Sequence, residues 1–561
     1  MAVKNIPLGQ ALLDSGLITQ EQLEDALSLQ KQNGKKLGDI LVESGIIDEN
    51  ELMKALETRF KVPFIDLSET RIDNAAPALI SEELARKYNV IPIASDDKTL
   101  TVATSDPMNF YALDDLKLAT NLEIKAVLAA PSAIKNAIGR YYSKKQAEDA
   151  AEVLNREFTV ENTGGSFREI DERIDNAPVV MLVNSIIQQA VKLGASDIHI
   201  EPMEKTTRVR VRVDGVLQNQ MTLAGGAHNA VITRFKIMSG MNIAERRLPQ
   251  DGRIETVVDG RPVDLRLSIM PTVNGEKLVI RILGGTGVLF SKSQLGLSEK
   301  NAEIFERLIK SPNGIILVSG PTGSGKTTTL YSILKEFNQP GVNIITVEDP
   351  VEYKLPGINQ VQVNAKAGLT FASGMRSILR QDPDIIMVGE IRDTETARMA
   401  VRAAITGHLV LSTIHTNDAP STMTRLIDMG IEPYLVSSAV VGVIAQRLVR
   451  NICPRCKTAY DPSPHEAEIL GLNPGEKLWK GRGCAFCNYM GYKGRTAIHE
   501  IMPVDKNARI LISYGATSDE LREYAVQKGM TTLRQNCAEL VKNGTTTIEE
   551  MLKVTYNIAD E

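Results

Sequence analysis

Residues 320–327 read Gly-Pro-Thr-Gly-Ser-Gly-Lys-Thr and follow the apolar run Ile315–Ser319. The stretch after them, Thr328-Thr329-Leu330-Tyr331-Ser332-Ile333-Leu334-Lys335, has helical character, so the loop joins a strand to a helix. That setting suits phosphate. Gly320, Gly323 and Gly325 allow close backbone approach, with Pro321, Thr322 and Ser324 between them. The helix N-terminus presents unpaired N–H groups and a positive dipole end. Lys326 would reach the β- and γ-phosphates and the Thr327 hydroxyl would ligate Mg²⁺, with Thr328 completing the turn. The pattern points to a nucleoside triphosphate.

Carboxylates recur where such a ligand needs them. Glu348-Asp349-Pro350 and Glu352 follow the strand candidate Asn343–Val347, and Gly389-Glu390-Ile391-Arg392-Asp393 follows Ile385–Val388. Leu409–Thr413 leads to His415. In open parallel sheets ligands sit at the carboxyl ends of strands. Hydrolysis needs one carboxylate beside Mg²⁺ and one group to orient water, so Glu348 and Glu390 are the candidates. His415 would sense the γ-phosphate or serve structure alone.

Two C-x-x-C pairs, Cys453/Cys456 and Cys484/Cys487, are separated by 27 residues. Each makes a knuckle, and four thiolates complete a closed tetrahedral Zn²⁺ site of structural type. Cys537 stands alone in a helical pattern and reads as core.

These residues must be positioned by several domains. The chain has 561 residues, 43% hydrophobic and 24% charged, with net charge −5, enough for about three or four cores. Aromatics make up only 4%, leaving little for base stacking, so nucleic acid is an unfavoured partner. No apolar run reaches the roughly 20 residues of a membrane span, and the N-terminus lacks a signal-peptide stretch. A cytoplasmic protein is expected, meeting a membrane only through a protein partner.

The first 60 residues hold a repeat of 29-residue offset: Leu8-Gly9 returns as Leu37-Gly38, Ser15-Gly16 as Ser44-Gly45 and Ala26-Leu27 as Ala55-Leu56. Each copy reads as a short helix, a glycine turn, a cap (Thr19, Asp48) and an amphipathic helix. The expected division is 1–145 (repeat 7–59, α/β part 61–145), a polar linker 146–176, an α/β unit 177–290 and a nucleotide domain 295–561 with the cysteine module at 450–496. The fold class is multidomain α/β with a mostly parallel nucleotide-binding sheet.

Gly320–Thr327, Thr346–Tyr353, Arg380–Asp393 and Thr406-Gly407-His408 with His415-Thr416-Asn417 resemble the four nucleotide-site boxes of the type II/type IV secretion ATPase superfamily. Within it, the chain resembles the extension ATPases of type IV pili and their type II secretion relatives along its whole length. The resemblance implies a RecA-like domain preceded by a PAS-like one, with Glu348 as general base and Glu390 as the carboxylate near Mg²⁺. Arg266 and Arg281 would act as arginine fingers, with Arg253 as fallback. It also implies homohexameric rings in which one subunit's preceding domain closes over a neighbour's nucleotide, a tetracysteine metal module, and an inner-membrane platform protein as partner. Two readings keep the chemistry, pilus assembly and type II secretion. A third is a nucleotide-gated scaffold with little turnover, and a nucleic-acid motor stands fourth.

The repeat resembles a tandem cyclic di-GMP motif, with Leu8, Gly9, Leu12 and Gly16 in one copy and Leu37, Gly38, Leu41 and Gly45 in the other. Three positions depart from it. Pro7 and Lys36 stand where the motif has arginine, and Arg59 where it has glutamine; the read-alone alternative is a helical docking module.

Overall fold

The computed structural model describes residues 8–67, 70, 72–73, 75–139, 141–142, 177–258, 260–283 and 291–555. The linker expected at 146–176 and Pro7 lie outside them.

The repeat folds as two helix pairs, α1 (Leu8–Asp14) with α2 (Gln20–Asn33), and α3 (Leu37–Glu43) with α4 (Glu49–Phe60). The second helix of each copy starts with a capping box. Thr19 and Gln22 exchange side chain-to-backbone bonds, as do Asp48 and Glu51, satisfying amides that the first turn leaves unpaired. Within each pair the two helices touch at a glycine, Gly9 in the first and Gly38 in the second. A Cβ on Gly9 would lie 2.7 Å from Leu23 Cδ1, and one on Gly38 2.9 Å from Leu52 Cδ2. Leu12 and Leu41 are sealed in the shared core. Next comes a three-stranded sheet of β1 (Val90–Ser95), β2 (Thr99–Thr104) and β3 (Glu123–Leu128).

The middle sheet contains β4 (Asp197–Pro202), β5 (Thr206–Val213), β6 (Val216–Ala224), β7 (Gln250–Val258), β8 (Arg261–Thr272) and β9 (Gly275–Leu283). Its order is β6-β5-β4-β9-β8-β7, antiparallel throughout. Alternation in Thr-Thr-Arg-Val-Arg-Val-Arg-Val sends the β5 valines into the core and the arginines to the other face. The inward face packs against the helices Ala177–Lys192 and Ala227–Ser239.

The largest sheet has seven strands in the order β12-β11-β13-β14-β10-β15-β18. Their ranges are β10 (Gly314–Ser319), β11 (Ile344–Glu348), β12 (Asn359–Gln362), β13 (Ile385–Val388), β14 (Leu409–Ile414), β15 (Val440–Ile452) and β18 (Tyr492–Pro503). All pairings are parallel except β15 with β18. Helices cover both faces, which is why the central strands are continuous apolar runs instead of alternating ones. Ile315 and Leu317 enter one core, Ile316 and Val318 the other. Between β15 and β18 lie the short pair β16 (Lys457–Tyr460) and β17 (Leu478–Gly481) and the four cysteines. Cys537 is buried in the helix Leu533–Lys542.

Candidate nucleotide and metal sites

The parallel register brings the carboxyl ends of β10, β11, β13 and β14 to one edge. There stand the glycine loop, Glu348, Glu390 and His415 respectively. The loop wraps tightly against β15. Gly320 has φ +145°, and a Cβ there would lie 2.5 Å from the Gln446 carbonyl oxygen, so only glycine fits. Gln446 also fixes the helix Lys326–Phe337, because the Thr329 hydroxyl donates to Gln446 Oε1 at 2.7 Å. Pro321, Thr322 and Gly323 are exposed at the loop tip, while Thr327 and Thr328 are half-buried at the helix start. The buried Ser324 hydroxyl has no hydrogen-bond partner among the described residues, a polar group suited to a ligand in the loop.

Lys326 points back into the loop and donates to the Gly320 and Pro321 carbonyls at 2.7 and 3.0 Å. Burial, opposed by the charge of Glu390 and aided by that of Arg447, lowers its pKa to about 8. A phosphate would reverse that depression. Glu390 pairs with Arg392 at 2.5 Å and lies 3.7 Å from His415 Nε2. Burial, then the Lys326 charge, lowers the His415 pKa and favours neutral imidazole. Thus Lys326, Glu390 and His415 do come together.

Glu348 is 2% exposed and held from three directions. Tyr331 donates to Oε2 at 2.5 Å, while Thr346 and Gln360 donate to Oε1 at 2.6 and 3.2 Å. Glu352, close by, has its pKa raised by burial, opposed by the charges of Arg266 and Arg281. Those arginines belong to the middle sheet of the same chain, so the middle unit already faces the carboxylates after β11. Register stacks three arginines in one row, Arg253 opposite Arg266 and Arg266 opposite Arg281. Like charges placed so repel, and carboxylates offset them. Asp264 grips Arg253 by two bonds of 2.8 and 2.9 Å, and Asp197 takes Arg281 at 3.2 Å. Arg266, in the middle of the row, acts on Glu352.

Sequence reasoning missed Arg447, Gln446 and the Tyr331/Thr346/Gln360 cradle. Arg447 donates to the Gln446 and Asn417 carbonyls at 3.2 and 2.8 Å and adds positive charge beside Lys326. A signal existed: Gln446-Arg447 interrupts the apolar run of β15. The cradle had none, since its members come from three separate elements.

Cys453, Cys456, Cys484 and Cys487 are all buried, with their sulfurs within 4.8 Å of one another. Separations of 3.8 Å (Cys453–Cys484), 3.9 Å (Cys456–Cys487) and 3.8 Å (Cys484–Cys487) match the about 3.8 Å edge of a ZnS₄ tetrahedron with Zn–S near 2.3 Å. Backbone N–H groups of Gly483, Cys484 and Gly491 donate to the sulfurs at 3.2–3.3 Å, as thiolate ligands require. The donor set fits zinc.

Of the repeat residues, Gly9, Leu12, Gly38 and Leu41 are buried, Leu8 and Leu37 half-buried, and Gly16 and Gly45 exposed. Equivalent positions of the two copies thus share one environment. Among the described residues, no helix is long and apolar enough to cross a membrane.

Residues 172–553 match the family model described as "Type II/IV secretion system protein", and residues 60–148 the "MshEN domain". The chain is 45% identical over 588 residues to "Type IV pilus assembly ATPase PilB" of Thermus thermophilus, covering 98% of this chain and 66% of that protein. It is 44% identical over 554 residues to the protein of the same name in Myxococcus xanthus, covering 97% and 98% respectively. The structure of the Legionella pneumophila ATPase DotB superposes with a TM-score of 0.50 at 21% identity, covering 67% of this chain and 95% of that one. That likeness concerns the fold alone.

Proposed function

The chain belongs to the type II/IV secretion system protein family, and from that premise we propose that it is a motor ATPase powering type IV pilus assembly. The observation that carries this is the convergence of Lys326, Glu390 and Arg447 on one glycine loop, with the middle-sheet arginines facing the adjacent carboxylates. Lys326 and the helix N-terminus bind phosphates, while Thr327 and Glu390 hold Mg²⁺ directly or through water. Glu348, fixed by its three donors, orients the attacking water. Arg266 and Arg281 offset the charge that develops on the transferred group. Until phosphate arrives, Asp197 holds Arg281, and the charges of both arginines act on Glu352. Closure of the middle unit on nucleotide and its release after hydrolysis supply the mechanical step. The antiparallel middle sheet is read as PAS-like and 295–561 as RecA-like, with one Zn²⁺ held by the four cysteines. The working form is a homohexamer in the cytoplasm, bound to the inner membrane through a platform protein.

Pilus assembly is favoured over type II secretion by the two pilus-assembly relatives above, 45% and 44% identical, against 40% for a type II secretion relative that also spans 97% of the chain. A deletion strain tests it. Loss of surface pili with export intact, restored by the wild type but not by Lys326→Ala, is expected. Blocked exoprotein release with normal pili would give the secretion reading.

Regulation by cyclic di-GMP at the repeat belongs to the same proposal. Half-buried Leu8 and Leu37 give apolar surface, and Gly16 and Gly45, exposed in the left-handed region, turn the chain sharply without a side chain that would cover it. Exposed Lys36 supplies charge without arginine's planar stacking. Calorimetric titration of the full chain with cyclic di-GMP, GTP serving as control, should give saturable, selective heat. None at high ligand concentration would leave the repeat a docking module.

A further inference from the structure

The cysteine knuckle touches more of the molecule than a local clip needs to. On its outer side, Arg455, inside the first C-x-x-C pair, stacks its guanidinium 4.4 Å from the Phe486 ring centre. From there its Nη1 reaches Asp66 Oδ1 of the N-terminal unit at 3.4 Å. Around this ion pair opens a cleft of about 780 Å³. Glu49, Ser132 and Tyr141 line it on one wall, Arg455, Phe486 and Tyr489 on the other. The ion pair thus stands at the edge of an open cleft between the two walls.

The inner side meets the middle unit. Asp214, at the tight β5–β6 turn, accepts from the Gly494 N–H at 2.9 Å and pairs with Arg495 at 3.4 Å. Both partners lie on β18 just after the knuckle. Cys453 directly follows β15, whose Gln446 and Arg447 lie against the phosphate-binding loop. Arg450, between loop and knuckle, is tied to Glu550 at 2.7 Å and covers the Tyr492 ring at 3.9 Å. So one metal-clamped body adjoins the N-terminal unit, the hairpin of the arginine-bearing sheet, and the strand backing the nucleotide loop.

We propose that the knuckle's outer face is the docking surface for the chain's own N-terminal unit, and that the knuckle relays the position of that unit to the nucleotide site. A body clamped at four sulfurs moves as one piece. Displacement at Arg455 therefore appears at Asp214 and along β15, where a flexible loop would absorb it. A surface ion pair of this kind keeps docking reversible, because it adds little, and like charges in its place repel. The open cleft leaves room for the two walls to approach. Only the activity readout rests on the ATPase reading.

Zinc-loaded full-length chain, Asp66→Arg, Arg455→Asp and the charge swap D66R/R455D would be compared by hydrogen exchange, zinc content and steady-state hydrolysis. Asp66→Arg leaves the metal loop untouched. It should raise exchange about three- to tenfold at both 130–137 and 485–489. It should change kcat with bound zinc unaltered, and the swap should restore both. Unchanged exchange at the two walls, or failure of the zinc-loaded swap to restore it, would overturn the docking. Altered exchange with unchanged kcat would overturn the relay. A wild type without turnover would instead defeat the ATPase reading and leave the exchange result to judge docking alone.

Discussion

The metal knuckle and the nucleotide site are built in opposite ways. The knuckle draws four like ligands from two short turns, and its sulfurs already stand at the spacing of a zinc tetrahedron. The nucleotide site draws unlike groups from four strand ends, from β15 and from a separate sheet, and its charges lean on one another. Lys326 rests on its own loop carbonyls and Glu390 on Arg392, while the charge of Arg266 acts on Glu352. A site meant to stay closed is local and complete. One meant to cycle is distributed, and each group has a resting partner that a ligand can replace.

That contrast can be broken most forcefully at the metal. Bound zinc at one ion per chain is expected, and its binding contributes on the order of 10–16 kcal/mol to folding of such modules. Chelation should abolish protection of the knuckle amides while ATP binding weakens far less. Unchanged exchange after chelation would make the cluster metal-free packing.

Next comes the arginine row. Arg266→Ala should lower kcat about 10³-fold with ATP affinity nearly kept, as loss of an arginine finger does. Arg253→Ala, whose guanidinium Asp264 already occupies, should leave kcat near wild type. Equal effects at the two would erase the distinction drawn here.

A smaller effect tests the resting state of Lys326. Its lowered pKa, about 8 from burial and then Arg447, means that phosphate must restore a proton above that pH. ATP affinity should fall by up to about tenfold from pH 7 to 9. In the absence of ligand the sign for folding is opposite. The unfolded chain keeps the lysine proton up to about pH 10.4, so this group's contribution to stability rises between pH 8 and there. A flat affinity profile would contradict the buried, carbonyl-bound lysine.

The smallest effect lies in the repeat. Gly38→Ala places a methyl 2.9 Å from Leu52 Cδ2. Overpacking there, partly offset by better helix propensity, should cost about 1 kcal/mol, read as a lower melting temperature of the N-terminal unit. Gly9→Ala should match it if the copies are equivalent.

Legibility followed the same division. Cys453/Cys456 and Cys484/Cys487, the glycine loop, and the strands bearing Glu348, Glu390 and His415 were readable because their chemistry is written in neighbouring residues. Ile385–Val388 was placed to the residue and the run Ile315–Ser319 falls one residue short of β10, both being buried runs flanked by breaks. The cradle around Glu348 was not readable. Tyr331, Thr346 and Gln360 are ordinary helix and strand residues: Thr346 shares β11 with Glu348, parallel register brings Gln360 beside it, and Tyr331 reaches in from the helix after the glycine loop. Arg447 was hidden for a related reason, since β15 joins β10 across a long connection. The row Arg253–Arg266–Arg281 was seen as separate candidates, but its alignment across three strands is a property of pairing.

The most direct measurement is phosphate release by the purified full-length chain with Mg²⁺–ATP, beside Lys326→Ala. Steady turnover by the wild type and a loss of about 100-fold or more in the variant are predicted, since the lysine supplies charge to the transferred phosphoryl group. Equal rates in the two proteins, or a folded wild type that binds ATP without releasing phosphate, would contradict a motor at this site.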